Sequence, residues 1–152
     1  MKIAVEYYAT DHDWEAGIVT TQTMTLGKTL TPEVEHILTH GQCHAFAVAL
    51  HEILGWPIVG CYGAGSCHRS TFHFALRCPS YGFADAHGMQ SFDEYSFRHV
   101  KAETILLGRA KGFLKPSMTF ARHYAPMIAA QLLRREMKAA KKLAAYRLKI
   151  AA

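Results

Sequence analysis

Gly41-Gln42-Cys43-His44-Ala45-Phe46-Ala47-Val48-Ala49-Leu50-His51-Glu52-Ile53-Leu54-Gly55 is the stretch on which the fold turns. Apolar residues run unbroken from Ala45 to Leu50, and Gly55 followed by Pro57 ends the element, so it reads as a helix from Cys43 to Leu54. Cys43, Phe46, Leu50 and Ile53 recur at helical spacing and predict the core face. Cys43 then stands in the first turn, at the positive end of the helix dipole, where the thiolate is favoured over the thiol.

Upstream, Thr31-Pro32-Glu33 is a helix start, with a hydroxyl cap, proline at the first helical position and acid in the first turn. That helix is expected to run to Thr39, with His40-Gly41-Gln42 as the break. Residues 2–9 and 17–26 alternate like strands, separated by a turn around Asp11-His12-Asp13. Downstream, Ile58 to Tyr62 reads as a strand, and Gly63 to Ser66 as a flexible connection. Residues 71–78 and 82–87 read as a hairpin around Pro79-Ser80-Tyr81. If Cys78 pairs with Gly82, Ala75 stands opposite Asp85, and His73 and Asp85 become diagonal neighbours on one face. A slip of one residue would separate them. Ser91–Phe97 suggests a short helical turn, residues 100–107 are ambiguous between strand and helix, and the chain reads as helical from Pro126 onward. In that last segment Leu133, Met137, Ala140, Ala144 and Leu148 form a stripe among basic residues.

The net charge of +5 conceals an asymmetry. Residues 1–97 carry ten acidic side chains against four basic ones, and residues 98–152 carry thirteen basic against two acidic. The basic segment either packs on the acidic body or contacts nucleic acid or an acidic protein through residues 126–150; its apolar stripe also offers a route to self-association. No apolar run approaches the length of a membrane span, and Met1 to Tyr8 reads as a strand rather than a secretion signal. A cytoplasmic location with reduced cysteines is therefore expected.

Cysteine, histidine and acid in this order, on a helix start and two strands, are the parts of a thiol acyl-transfer site. Cys43 is the expected nucleophile, His73 the base and Asp85 the residue that orients it. The Cys43 amide is a natural oxyanion donor, with Gln42 or His40 as a second and His87 in support. Cys67-His68 is a weaker rival, and Cys61 and Cys78 read as packing residues. His36 and His40, four apart on a helix, could join Cys43, His44 and Cys67-His68 around zinc. The chain has neither Cys-x-x-Cys nor His-Glu-x-x-His, so no metal and no cofactor is expected.

Gly41-Gln42-Cys43 with its helix, His73-Phe74-Ala75-Leu76 and Phe83-Ala84-Asp85-Ala86-His87-Gly88 together resemble the papain-like cysteine peptidase superfamily, in the broad sense that includes transglutaminase-like and bacterial effector-type members. The matching stretch covers about a third of the chain, and its size suits a small bacterial or phage-type member. The glutamine stands next to the cysteine here, rather than several residues before it. The resemblance implies an α+β fold in which a small antiparallel sheet packs on a central helix carrying Cys43 at its N-terminus, to which the residue pattern adds a long C-terminal basic helix. It implies a papain-like core over residues 1–117 and a basic helical extension over 118–152. The implied activity is hydrolysis or acyl transfer at amide bonds of a peptide or protein substrate, as a peptidase, deamidase or transglutaminase.

Overall fold

The computed structural model describes residues 1–61, 73–80, 82–90, 97–103 and 114–151. Cys67-His68, the Gly63–Ser66 connection, Tyr62, residues 71–72, Tyr81, residues 91–96 and residues 104–107 assigned above lie outside them. The chain begins with strand β1 (Lys2–Tyr7), helix α1 (Asp11–Ala16) and strand β2 (Thr20–Thr25), followed by helices α2 (Pro32–Thr39) and α3 (Cys43–Leu54). Strands β3 (Ile58–Cys61), β4 (His73–Arg77), β5 (Phe83–Asp85), β6 (Gly88–Gln90) and β7 (Phe97–Val100) come next, and helix α4 (Leu114–Ala151) closes the chain.

The fold is α+β. Strands β1 and β2 pair antiparallel as a two-stranded sheet, and the other strands form an antiparallel sheet in the order β6-β5-β4-β3-β7. Helix α3 packs between this larger sheet and α4. Its first eight residues, Cys43 to Leu50, are all buried, because α4 covers the side that the sheet leaves open. Ile53 departs from the expected core face. It is 48 % exposed, since the last turn of α3 runs past the packed region.

Two element boundaries differ from the sequence reading. The expected turn at Asp11-His12-Asp13 is the first turn of α1, capped by the Thr10 hydroxyl on the Asp13 amide and ended by Gly17 in the left-handed conformation. The C-terminal helix starts at Leu114, twelve residues before the expected Pro126, which lies inside it. Proline removes one backbone hydrogen bond from a helix. Here the buried residues Phe120, Ala121, Tyr124, Ala125, Ile128, Ala129 and Leu132 hold the helix across that gap. Tyr124 also accepts a hydrogen bond from the Gly27 amide at 2.9 Å, and Arg122 makes a two-pronged ion pair with Glu52 of α3.

The boundary drawn between residues 117 and 118 therefore falls within one helix, whose half up to Leu132 is core. The expected stripe from Leu133 to Leu148 is not core: Leu133, Met137 and Leu148 are exposed. Among the described residues no helix is long and apolar enough to cross a membrane.

Phe120→Ala should lower the unfolding free energy by about 3–5 kcal/mol, whereas Leu148→Ala should change it by less than about 0.5 kcal/mol. Urea unfolding of the two variants checks this division of α4.

Candidate functional site

Cys43 occupies the first position of α3, and the path of the chain just before it is fixed from both sides. The Tyr8 amide donates to the His40 carbonyl at 2.7 Å, and the buried Gln42 side-chain amide donates to the Glu6 carbonyl. Gly41 lies between them with φ +125°, and a Cβ there would meet the Tyr7 Cα at 3.0 Å. Only glycine meets both conditions. The end of β1 thus abuts the turn that presents the thiol.

His73 opens β4 and Asp85 closes β5. The pairing Leu76↔Ala84 and Arg77↔Phe83, continued by the Cys78 amide on the Gly82 carbonyl, is the register read from the sequence. His73 and Asp85 consequently share a face, and His73 Nε2 lies 2.8 Å from Asp85 Oδ2. The other carboxylate oxygen accepts from the His87 amide and from Gln90 Nε2, each at 2.8 Å. Asp85 is 6 % exposed, so a carboxylate held there needs these donors. With Nε2 engaged by Asp85, Nδ1 of His73 is the ring nitrogen left for other partners, and Cys43 lines the same cleft.

The charge state follows from these contacts. Burial works against an imidazolium, yet the hydrogen bonds to Asp85 and Cys43 and the charges of both outweigh it, and His73 is pushed up to about 10. Cys78, by contrast, is an inert thiol: burial, reinforced by the charge of Glu136, pushes it up to about 12.

The supporting residues named from sequence divide three ways. His87 supports Asp85 through its backbone amide, while its ring lies 3.6 Å from Glu35. Gln42 commits one hydrogen of its amide nitrogen to the Glu6 carbonyl, which ties the turn to β1. His40 lies beside Gly41, with Nδ1 2.9 Å from the Thr39 hydroxyl and 3.0 Å from the His36 carbonyl. Burial and the neighbouring His36 push His40 below its ordinary value, and its Nε2 lies 3.7 Å from Asp11 Oδ1. The Cys43 backbone N–H stands in the first turn of α3, where amides lack intrahelical partners and can face an anion.

His36 is committed elsewhere. Its Nε2 donates to the Tyr8 carbonyl, and its ring stacks on that of His40 with centroids 3.9 Å apart. Among the described residues no group of three or more histidine, cysteine, aspartate or glutamate side chains is placed to hold a metal ion.

A cleft of about 390 Å³ opens on Cys43 and His73, lined on its far side by Tyr8, Asp11, Trp14 and Glu15. Sequence reasoning missed the α1 side of this cleft, and Gln90 as well. The capping pattern of Thr10, Asp11, Asp13 and Gly17 signals α1. Nothing comparable signals Gln90, which reaches Asp85 only because a two-residue turn after Asp85 folds β6 back on β5.

No protein-family model matches the chain, and no curated protein or solved structure does so either.

The raised His73 value makes stability depend on pH. The ring titrates near 6.5 when unfolded and near 10 when folded, so the folded state holds the extra proton between those values. Its stabilising contribution is complete below about 6.5 and is lost as pH rises through about 10. Urea midpoints measured across this range should fall with pH in the wild type, and His73→Gln should flatten that fall.

Proposed function

We propose that the protein is a thiol-dependent hydrolase or acyltransferase acting on amide bonds, with Cys43 as nucleophile, His73 as general acid and base, and Asp85 as the residue that orients His73. The observation that carries this reading is that one imidazole is hydrogen-bonded to a buried carboxylate and shares a cleft with a thiol at a helix N-terminus, whose interaction raises the ring's basicity. That is the set of partners a cysteine nucleophile requires. In this scheme the Cys43 sulfur forms a bond to the amide carbonyl carbon, and the oxygen takes up negative charge facing the Cys43 N–H. Collapse of this intermediate breaks the carbon–nitrogen bond, and His73 gives its proton to the departing amine. Water or a second amine, deprotonated by His73, then displaces the thiol from the acyl group. Peptidase, deamidase and transglutaminase reactions share the first half of this sequence, and the likeness to papain-like enzymes supports the same assignment.

A peptide carrying an electrophilic carbonyl in place of the scissile amide should label the wild type on Cys43. Cys43→Ala should abolish labelling while keeping the folded circular dichroism spectrum. Asp85→Asn should slow it by at least about tenfold, since the ring loses the partner that fixes its orientation. Labelling that persists in Cys43→Ala, or moves to another cysteine, rejects the assignment.

The exposed half of α4 favours a second reading, as a non-catalytic binding protein. From Leu133 onward it presents Arg134, Arg135, Lys138, Lys141, Lys142, Arg147 and Lys149 against a lone acid, Glu136, which is bonded to Ser80. If this face contacts phosphates, affinity for mixed-sequence DNA should fall steeply with salt. Replacing Lys138, Lys141 and Lys142 by Gln should reduce the slope of log K against log salt by about 2–3. Absence of binding at low salt rejects the nucleic-acid reading.

A further inference from the structure

The outer half of α4 joins two properties that the proposed chemistry does not use. Among the described residues, the hydrogen bond of Glu136 with Ser80 is the outermost between this helix and the rest of the chain. From Ala140 to Ala151 every residue is exposed, large apolar side chains included: Tyr146 is 61 % exposed, Leu148 72 % and Ile150 67 %. Seven lysines and arginines share this half. Successive residues turn by about 100° around a helix, which sorts these side chains into arcs. Lys141, Arg134, Lys138, Lys149, Lys142 and Arg135 follow one another on a basic arc of roughly 120°. Leu133, Met137, Ala140, Ala144 and Leu148 fill an apolar arc of roughly 80° next to it, bounded on its other side by Arg147. Leu143, Tyr146 and Ile150 make a third arc, in line with the buried Ile128 and Leu132, and so face the side on which the body lies. The arc of Leu133, Met137 and Leu148 is turned away from that side by roughly 130°, so a flat surface can reach it without meeting the body.

This arrangement selects among partners. The phosphates of a nucleic acid would draw on the basic arc and leave the neighbouring apolar arc in water. A second α4 laid along that arc would set seven cations against seven, a repulsion the apolar contact would have to overcome. An anionic bilayer matches both arcs. Its surface potential attracts lysine and arginine, and its headgroup–acyl boundary takes up the apolar side chains of a helix lying in the plane. Arg134, Lys141 and Arg147 stand at the edges of the apolar arc, where their stems can lie along the boundary while their charged ends stay among the headgroups.

We propose that the outer half of α4 docks on an anionic membrane surface, lying in its plane with Leu133, Met137 and Leu148 inserted. The packed half of the helix then holds the body, and with it the Cys43 cleft, beside that surface. The proposal does not depend on whether Cys43 reacts.

Co-sedimentation of the full chain with lipid vesicles tests it. At low salt the protein should bind vesicles of phosphatidylcholine mixed with phosphatidylglycerol at least about tenfold more tightly than vesicles of phosphatidylcholine alone. The triple variant Leu133→Ser/Met137→Ser/Leu148→Ser should weaken binding to the anionic vesicles about tenfold or more, and Lys138→Gln/Lys141→Gln/Lys142→Gln should do the same. All the replaced side chains are exposed, so the urea midpoints of both variants should match that of the wild type. The serine variant separates lipid from nucleic acid, since a contact made to phosphates alone is indifferent to it. Absence of binding to the anionic vesicles overturns the proposal. A serine variant that binds them as tightly as the wild type overturns it as well, because the contact is then one of charge only. Wild-type dimers in gel filtration that the serine replacements dissolve, without vesicle binding, would assign the apolar arc to a second copy and overturn it too.

Discussion

The hydrogen bond between His73 and Asp85 exists in only one pairing of β4 with β5. Side chains alternate across a sheet, so a shift of one residue would send the ring and the carboxylate to opposite faces. The apolar residues of β4 resist that shift. Leu76 is fully buried in the core, and moving it to the other face would exchange it for a neighbour of different shape and polarity. Core packing and the polar site therefore select the same register. The buried carboxylate adds to this selection, since its two further donors, His87 and Gln90, are also in reach only when β6 folds back at the observed turn.

The thiol is fixed by a different part of the chain. Helix α3 is held along its length by α4 and the larger sheet, but its N-terminal end is set by contacts with the end of β1. Gly41 allows the two backbones to approach, and Gln42 bonds across the approach. The sulfur and the ring thus belong to two separately anchored pieces that meet at the edge of the core. This arrangement leaves one side of the pair open to the cleft while its other side is closed by the sheet and α3.

Much of this was legible in the sequence. The extent of α3, the Thr31 cap of α2 and the β4–β5 register follow from local signals: a glycine stop, a Thr-Pro-Glu start, and a turn of fixed length between two apolar runs. The positions of Cys43, His73 and Asp85 were legible because each stands at an element end that those signals define. What was not legible depends on tertiary contact. Pro126 marks a helix start in an isolated segment, and only the burial of Phe120, Tyr124 and Ile128 shows that the helix passes through it. The exposure of Ile53 likewise depends on where the packing on α3 ends. The roles of Gln42 and His40 turn on which carbonyl each side chain meets, and no spacing rule encodes that. Helix α1 was signalled by its caps, yet its six residues fall below the length at which periodicity is informative.

The two halves of α4 are also linked energetically. A free peptide the length of residues 133–151 would have to initiate its first turn unaided, which is the unfavourable step in forming any helix in water. Here the packed half supplies a ready-made template, so the outer half only extends an existing ladder, one residue at a time, through a run rich in alanine, lysine and leucine. Its rigidity is therefore borrowed from the body, since each added turn depends on the one before.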